Sequence, residues 1–128
     1  MRWGWLALAI LALPQVVEAE IVQAGGARLR VLDKMSGVVS DYDLATGATQ
    51  VQGRLTVQLD ECRYPADLPS AEAFAHLTIM DSDLTEPAFA GWMVASSPAL
   101  SALDNPRYDV WVLRCDVPST SAGDGSGG

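Results

Sequence analysis

Alternation constrains this chain more than any other feature. From Arg28 to Arg114, apolar and polar residues trade places at every second position in short runs, and each run stops at turn-forming residues. A repeat of two belongs to a strand with a different environment on each face, and no window carries a helical apolar stripe longer than about two turns. The pattern predicts strands over Arg28–Leu32, Val38–Leu44, Thr49–Val51, Leu55–Leu59, Ala75–Met80, Ala88–Ala95 and Tyr108–Arg114. The breaks between them fall at Ser36-Gly37, Thr46-Gly47, Gln52-Gly53, Pro65–Pro69 and Asp104-Asn105-Pro106. Strands this short and this closely spaced predict an all-β fold, a small antiparallel sandwich or barrel of about seven strands. Only Ser97–Leu103 invites a helical turn, with Ser97 as cap and Pro98 at the first helical position.

The amino terminus sets the compartment. Arg2 is followed by an uncharged run from Trp3 to Leu13, then Pro14, then Val17-Glu18-Ala19, a small-x-small pattern that predicts cleavage after Ala19. The run has 11 residues, whereas a bilayer-spanning helix needs roughly 20. Residues 1–19 therefore read as a signal peptide, 20–27 as a flexible lead, 28–116 as one β domain and 117–128 as a disordered tail rich in Ser, Thr, Gly and Ala. An exported chain with no stable membrane span after cleavage is expected, with the periplasm as its location. Cleavage removes one cation, Arg2, and one acid, Glu18, so the net charge stays at −8. The remaining cations are scattered between Arg28 and Arg114, which argues against nucleic acid, since polyanion binding draws on clustered Lys and Arg. An anionic membrane surface is disfavoured for the same reason.

In an oxidising compartment the two cysteines, Cys62 and Cys115, read as one structural disulfide. They lie 53 positions apart and lack the Cys-x-x-Cys spacing of a redox pair. Closing a loop of that size restricts the unfolded chain by about 4 kcal/mol on a chain-entropy model, a large share of the stability of so small a domain. Strand phase adds a requirement. Leu55, Val57 and Leu59 share the inward face, so continuing the alternation puts Cys62 outward unless the strand bulges or ends near Asp60-Glu61. In the last strand Trp111, Leu113 and Cys115 oppose Tyr108, Val110 and Val112, and two apolar faces predict a central strand with Trp111 packed on the disulfide and Trp92 in the same core.

Chemistry is harder to find. The single histidine, His76, alternates with apolar Leu77 and Ile79 and reads as a solvent-facing strand residue. A triad with Ser96 or Ser97 and Asp109 lacks every local signature of a serine hydrolase, and Ser96-Ser97-Pro98 is better explained as turn and cap. The pairs Asp41/Asp43 and Asp81/Asp83 belong to no calcium loop and read as solvated acidic turns. One histidine and two bridged cysteines offer no zinc set. No catalytic residue, cofactor or metal is expected. Aromatic residues are the stronger hint: the alternative to a buried Trp92 is an exposed indole that docks a peptide or glycan strand, and Trp92, Tyr108 and Asp109 form that candidate binding surface.

The segments Leu29–Lys34, Ser36-Gly37 and Gly53–Val57 point to a family, as does Cys62. So, more specifically, do Gly91-Trp92-Met93, Ala95–Pro98, Asn105-Pro106, Tyr108–Leu113 and Cys115. Across Arg28–Asp116 the chain resembles the DUF2155 family of exported Gram-negative proteins. The resemblance implies a small periplasmic domain and supplies no active site to carry over. The expected function is a non-enzymatic interaction or structural module of the cell envelope, its partner an envelope protein or peptidoglycan. The alternative is a small hydrolase or a carbohydrate- or peptidoglycan-binding domain with a groove near Trp92 and Tyr108.

Overall fold

The computed structural model describes Gly4, residues 8–13 and residues 20–118. The expected cleavage point after Ala19 and the tail beyond Pro118 lie outside the described residues. Eight strands and one short 3-10 turn follow in order: β1 (Ile21–Ala24), β2 (Gly26–Asp33), β3 (Val39–Ala45), β4 (Thr49–Gln52), β5 (Leu55–Pro65), β6 (Phe74–Asp81), β7 (Phe89–Val94), the turn Pro98–Leu100, and β8 (Tyr108–Cys115). All pairings are antiparallel. They form two sheets, which resolves sandwich against barrel in favour of the sandwich.

The larger sheet runs β1-β5-β6-β7, and β4 lies on the same edge of β5 as β1, pairing with its first half where β1 pairs with its second. The smaller sheet runs β3-β2-β8. Inward residues of both sheets fill the core, chiefly Leu29, Val31, Val110 and Val112 from one side and Leu55, Val57, Leu59, Leu77, Ile79 and Met93 from the other. This is the interdigitated layer that two aligned sheets share. No helix among the described residues is long and apolar enough to cross a membrane.

Two expectations need correction. Residues 20–27 are not a flexible lead: Ile21–Ala24 pairs with Cys62–Pro65, and the chain then crosses between sheets at Gly25-Gly26 to begin β2. Gly26 has no alternative there, since a Cβ would strike Leu44 O and the Asp116 carboxylate. Nor is β8 a central strand. It pairs with β2 alone, its core face is Tyr108, Val110 and Val112, and Trp111 and Leu113 lie half-buried on the outer face, so Trp111 is not the residue packed inward with the disulfide.

The disulfide depends on two one-residue bulges. On β5, Leu59 pairs with Leu77 and Glu61 with His76, leaving Asp60 over. On β8, Leu29 opposes Val112 and Arg28 opposes Arg114, leaving Leu113 over. Each extra residue reverses the phase of the strand beyond it. Cys62 and Cys115 thus both turn inward, fully buried, and join the sheets with Cα atoms 5.7 Å apart. The bulge required near Asp60-Glu61 is present. The 3-10 turn is shorter than Ser97–Leu103, and Ser97 makes no side-chain cap bond. Ser96 instead donates its hydroxyl (2.5 Å) and its amide (3.2 Å) to Glu72. Burial works against ionisation of that carboxyl, yet the hydrogen bonds from Ser96 and Ala73 hold its pKa below the ordinary value.

Candidate functional site

Trp92, Tyr108 and Asp109 do not meet. Tyr108 is 2% exposed and closes one end of the sandwich. Two guanidinium groups stand over its ring, Arg107 at 5.2 Å and Arg54 at 5.9 Å from the centroid. Each arginine is held by its own carboxylate. Arg107 donates to Asp33 through Nη2 (3.0 Å) and Nε (3.3 Å), and Arg54 donates through Nε to Asp81 (3.0 Å). Asn105 ties the halves together, donating to Asp81 (2.9 Å) and accepting from the amides of Arg107 (2.9 Å) and Tyr108 (3.1 Å). Lys34 donates to Asn105 O (2.7 Å) and pairs with Asp109 (3.6 Å), which places Asp109 on the smaller sheet beside this network.

The network tunes its carboxyls. The bond from Arg107 pulls the pKa of Asp33 down to about 2 against the opposing effect of burial, with help from the amides of Met35 and Ser36. Asp81 is also lowered, first by the Asp83 amide, then, against burial, by Arg54 and Asn105. Asp81 is therefore no solvated turn residue: it is buried and anchors the end of β6. Asp41 is lowered mainly by its bond from Arg30 across the β2-β3 pair. The carboxylates of this network are each engaged, and Tyr108 offers a ligand almost no surface.

Trp92 is different. It lies on the outer face of the larger sheet, is 38% exposed, and packs over its neighbours on β6 and β5. His76, directly opposite in register, meets the indole edge-on at 5.1 Å, and the Arg63 guanidinium stands 5.1 Å from the ring centroid. Both partners are fixed in turn. Asp60 bonds His76 Nδ1 at 2.7 Å and accepts from the Thr78 hydroxyl at 2.7 Å. Glu61 accepts from Arg63 (2.9 and 3.2 Å) and Gln23 (3.3 Å). A carboxylate only accepts, so Nδ1 carries the proton of that bond, and Nε2 has no hydrogen-bond partner among the described residues.

Asp60 and Glu61 are neighbours in sequence and ordinarily would face opposite ways. The bulge puts both on the outer face, and the same extra residue turns Cys62 into the core. Beside the indole lies an open hollow of about 300 Å³ lined by Ile21, Arg63, Phe74 and Trp92. Sequence reasoning finds Trp92 and misses the residues around it. The available signal is the bulge itself, since the irregularity that brings Cys62 inward also redirects Asp60 and Glu61.

His76 is coupled to Asp60, Ser96 to Glu72, and Asp109 lies on the other sheet, so the triad considered from the sequence is not assembled. Among the described residues, no group of three or more His, Cys, Asp or Glu side chains is placed to share a metal ion. What the Trp92 face offers is contact: an aromatic plate, an apolar hollow, and planar polar groups at the rim with spare hydrogen-bonding capacity.

The family model described as "Uncharacterized protein conserved in bacteria (DUF2155)" matches residues 27–115, and the chain belongs to that family. It is also similar to a protein of Rickettsia prowazekii (strain Madrid E) described as "Uncharacterized protein RP359", with 24% identity over 103 residues. That alignment covers 78% of this chain and 66% of the relative, just under two thirds of the relative's length. No solved structure matches.

Proposed function

We propose that this member of the DUF2155 family is a non-enzymatic recognition module of the bacterial envelope that engages its partner through the outer face of the larger sheet. The observation that carries this reading is the exposure of Trp92 within a supported setting, with Arg63 and His76 held against it by Glu61 and Asp60. A surface indole held by hydrogen-bonded neighbours loses little side-chain freedom on binding, which is the economy that makes tryptophan a frequent anchor at interfaces. Export to the periplasm is part of the proposal. It is supported by the leader pattern of residues 1–19 and by a buried disulfide of the kind that oxidising compartments favour.

In-cell photocrosslinking tests the reading. A photoreactive residue at Ala90, beside Trp92 on β7, should capture an envelope component, and Trp92→Ala in the same chain should abolish capture. A photoreactive residue at the exposed Met35, in the β2-β3 turn, serves as the remote control. Equal capture with and without Trp92, or capture only from Met35, would remove the larger sheet from consideration.

A further inference from the structure

The chemistry around Trp92 also selects a class of ligand. Resting on the reading that this face binds a partner, the geometry points to a neutral glycan strand bearing acetamido groups. Charge is the first ground. Arg63 is bonded to Glu61 and His76 to Asp60, so no cation at the site is free of a carboxylate, and the chain carries a net charge of −8. A phosphate or polyanion finds no uncompensated cation there, and a basic ligand would have to draw Glu61 away from Arg63.

Hydrogen-bonding capacity is the second ground. Arg63 engages Glu61 only through Nη2, leaving its Nε and Nη1 protons free among the described residues. The second oxygen of Asp60 and Nε2 of His76 are likewise unengaged among the described residues. Free donors and free acceptors therefore stand side by side, the arrangement that suits hydroxyl groups, which both give and take hydrogen bonds. A purely apolar segment of protein would strip water from these groups and return nothing to them.

Shape is the third. The hollow of about 300 Å³ is open, apolar on the side of Ile21 and Phe74 and polar at Arg63. It is at the small end of ligand hollows and suits one group projecting from a longer strand. An acetamido substituent offers a methyl for the apolar wall and an amide for the polar rim. The sugar ring that carries it presents an apolar C–H face to the indole and hydroxyls to Arg63 and Asp60.

Titration of the purified full chain with the β-1,4-linked N-acetylglucosamine tetramer, followed by calorimetry, tests this inference. The glucose tetramer, which lacks acetamido groups, is the comparison. We expect saturable binding of the N-acetylglucosamine tetramer, weaker binding of the glucose tetramer, and a loss of at least about tenfold on Trp92→Ala, the order of an interface anchor. Trp92→Phe, which keeps an aromatic plate, should retain most of the affinity, and a thermal melt of each variant reports whether the fold is intact. Absence of binding, or binding that Trp92→Ala leaves unchanged in a folded protein, overturns the glycan assignment. If Trp92-dependent crosslinks to a protein persist in cells while the tetramer fails to bind, the recognition module stands and the glycan does not. If neither occurs, both fall.

Discussion

Tyr108 and Trp92 are built from the same parts. Each is an aromatic ring flanked by cationic or ionisable planar groups, and each of those groups is held by its own carboxylate: Arg107 by Asp33 and Arg54 by Asp81 in one case, Arg63 by Glu61 and His76 by Asp60 in the other. They differ in their access to water. Tyr108 is 2% exposed, whereas Trp92 is 38% exposed, so a partner can reach only the second ring. The lesson is that composition does not separate a structural cluster from a recognition surface. A buried ring spends its surface on the fold, and an exposed one keeps surface for a partner.

That contrast is broken most directly by truncating each ring. Tyr108→Ala should cost about 3 to 5 kcal/mol, the scale of a large aromatic removed from a core, and it removes the ring over which Arg54 and Arg107 stand. Chemical denaturation measures it, and a loss below about 1 kcal/mol would show that the buried ring holds little. Removing the inter-sheet bridge with Cys62→Ser and Cys115→Ser comes next, at about 4 kcal/mol for a loop of 53 positions. Equal melting of the oxidised and reduced protein would contradict it. Gly53→Ala should follow at about 1 to 2 kcal/mol or more, since Gly53 has φ +56° and a Cβ there would run into the Tyr108 hydroxyl.

A pH titration sharpens the comparison further. Because Asp33 sits at about 2 when folded, its stabilisation is fully present above the ordinary carboxylate value near pH 4 and is lost as pH falls toward 2. The melting temperature should drop through that window, and Asp33→Asn should flatten the drop while lowering stability at neutral pH. An unchanged acid limb would place the acid sensitivity elsewhere. The smallest effect on stability belongs to Trp92→Ala, below about 1 kcal/mol, as for other surface substitutions. This variant should nevertheless lose its partner, and a large fall in melting temperature would mean that Trp92 belongs with Tyr108.

The fold is largely legible in the residues. Alternation places seven strands close to where they occur, and the phase of Leu55, Val57 and Leu59 requires the irregularity seen at Asp60. Ile21–Ala24 escapes because apolar Ile21 and Val22 stand side by side and break the alternation, and no turn residues mark the start of the segment. The wrong core face of β8 has a specific cause. Cys115 sets the phase in a strictly alternating strand, and the bulge at Leu113 inverts that phase between Val112 and Cys115. The site is less legible. Trp92 stands out by its type, but Arg63 and Phe74 reach it only because β5 and β6 pair in this register, and that pairing is a long-range property of the sheet. Tyr108 and Asp109 draw attention for the right chemistry in the wrong setting, since burial is not written in a residue's identity.

The bridge from Cys62 to Cys115 also fixes how the molecule answers to force. Tension applied from outside the bridge is carried by the covalent link, so the segment between the cysteines cannot lengthen while the link holds. That segment contains β6, β7 and β8 whole, and with them Arg63, Phe74, His76 and Trp92. Among the described strands, only those before Cys62, from β1 through most of β5, are free to be drawn out. A load arriving through the amino-terminal strands would therefore peel them away first and leave the tryptophan's own hairpin in place.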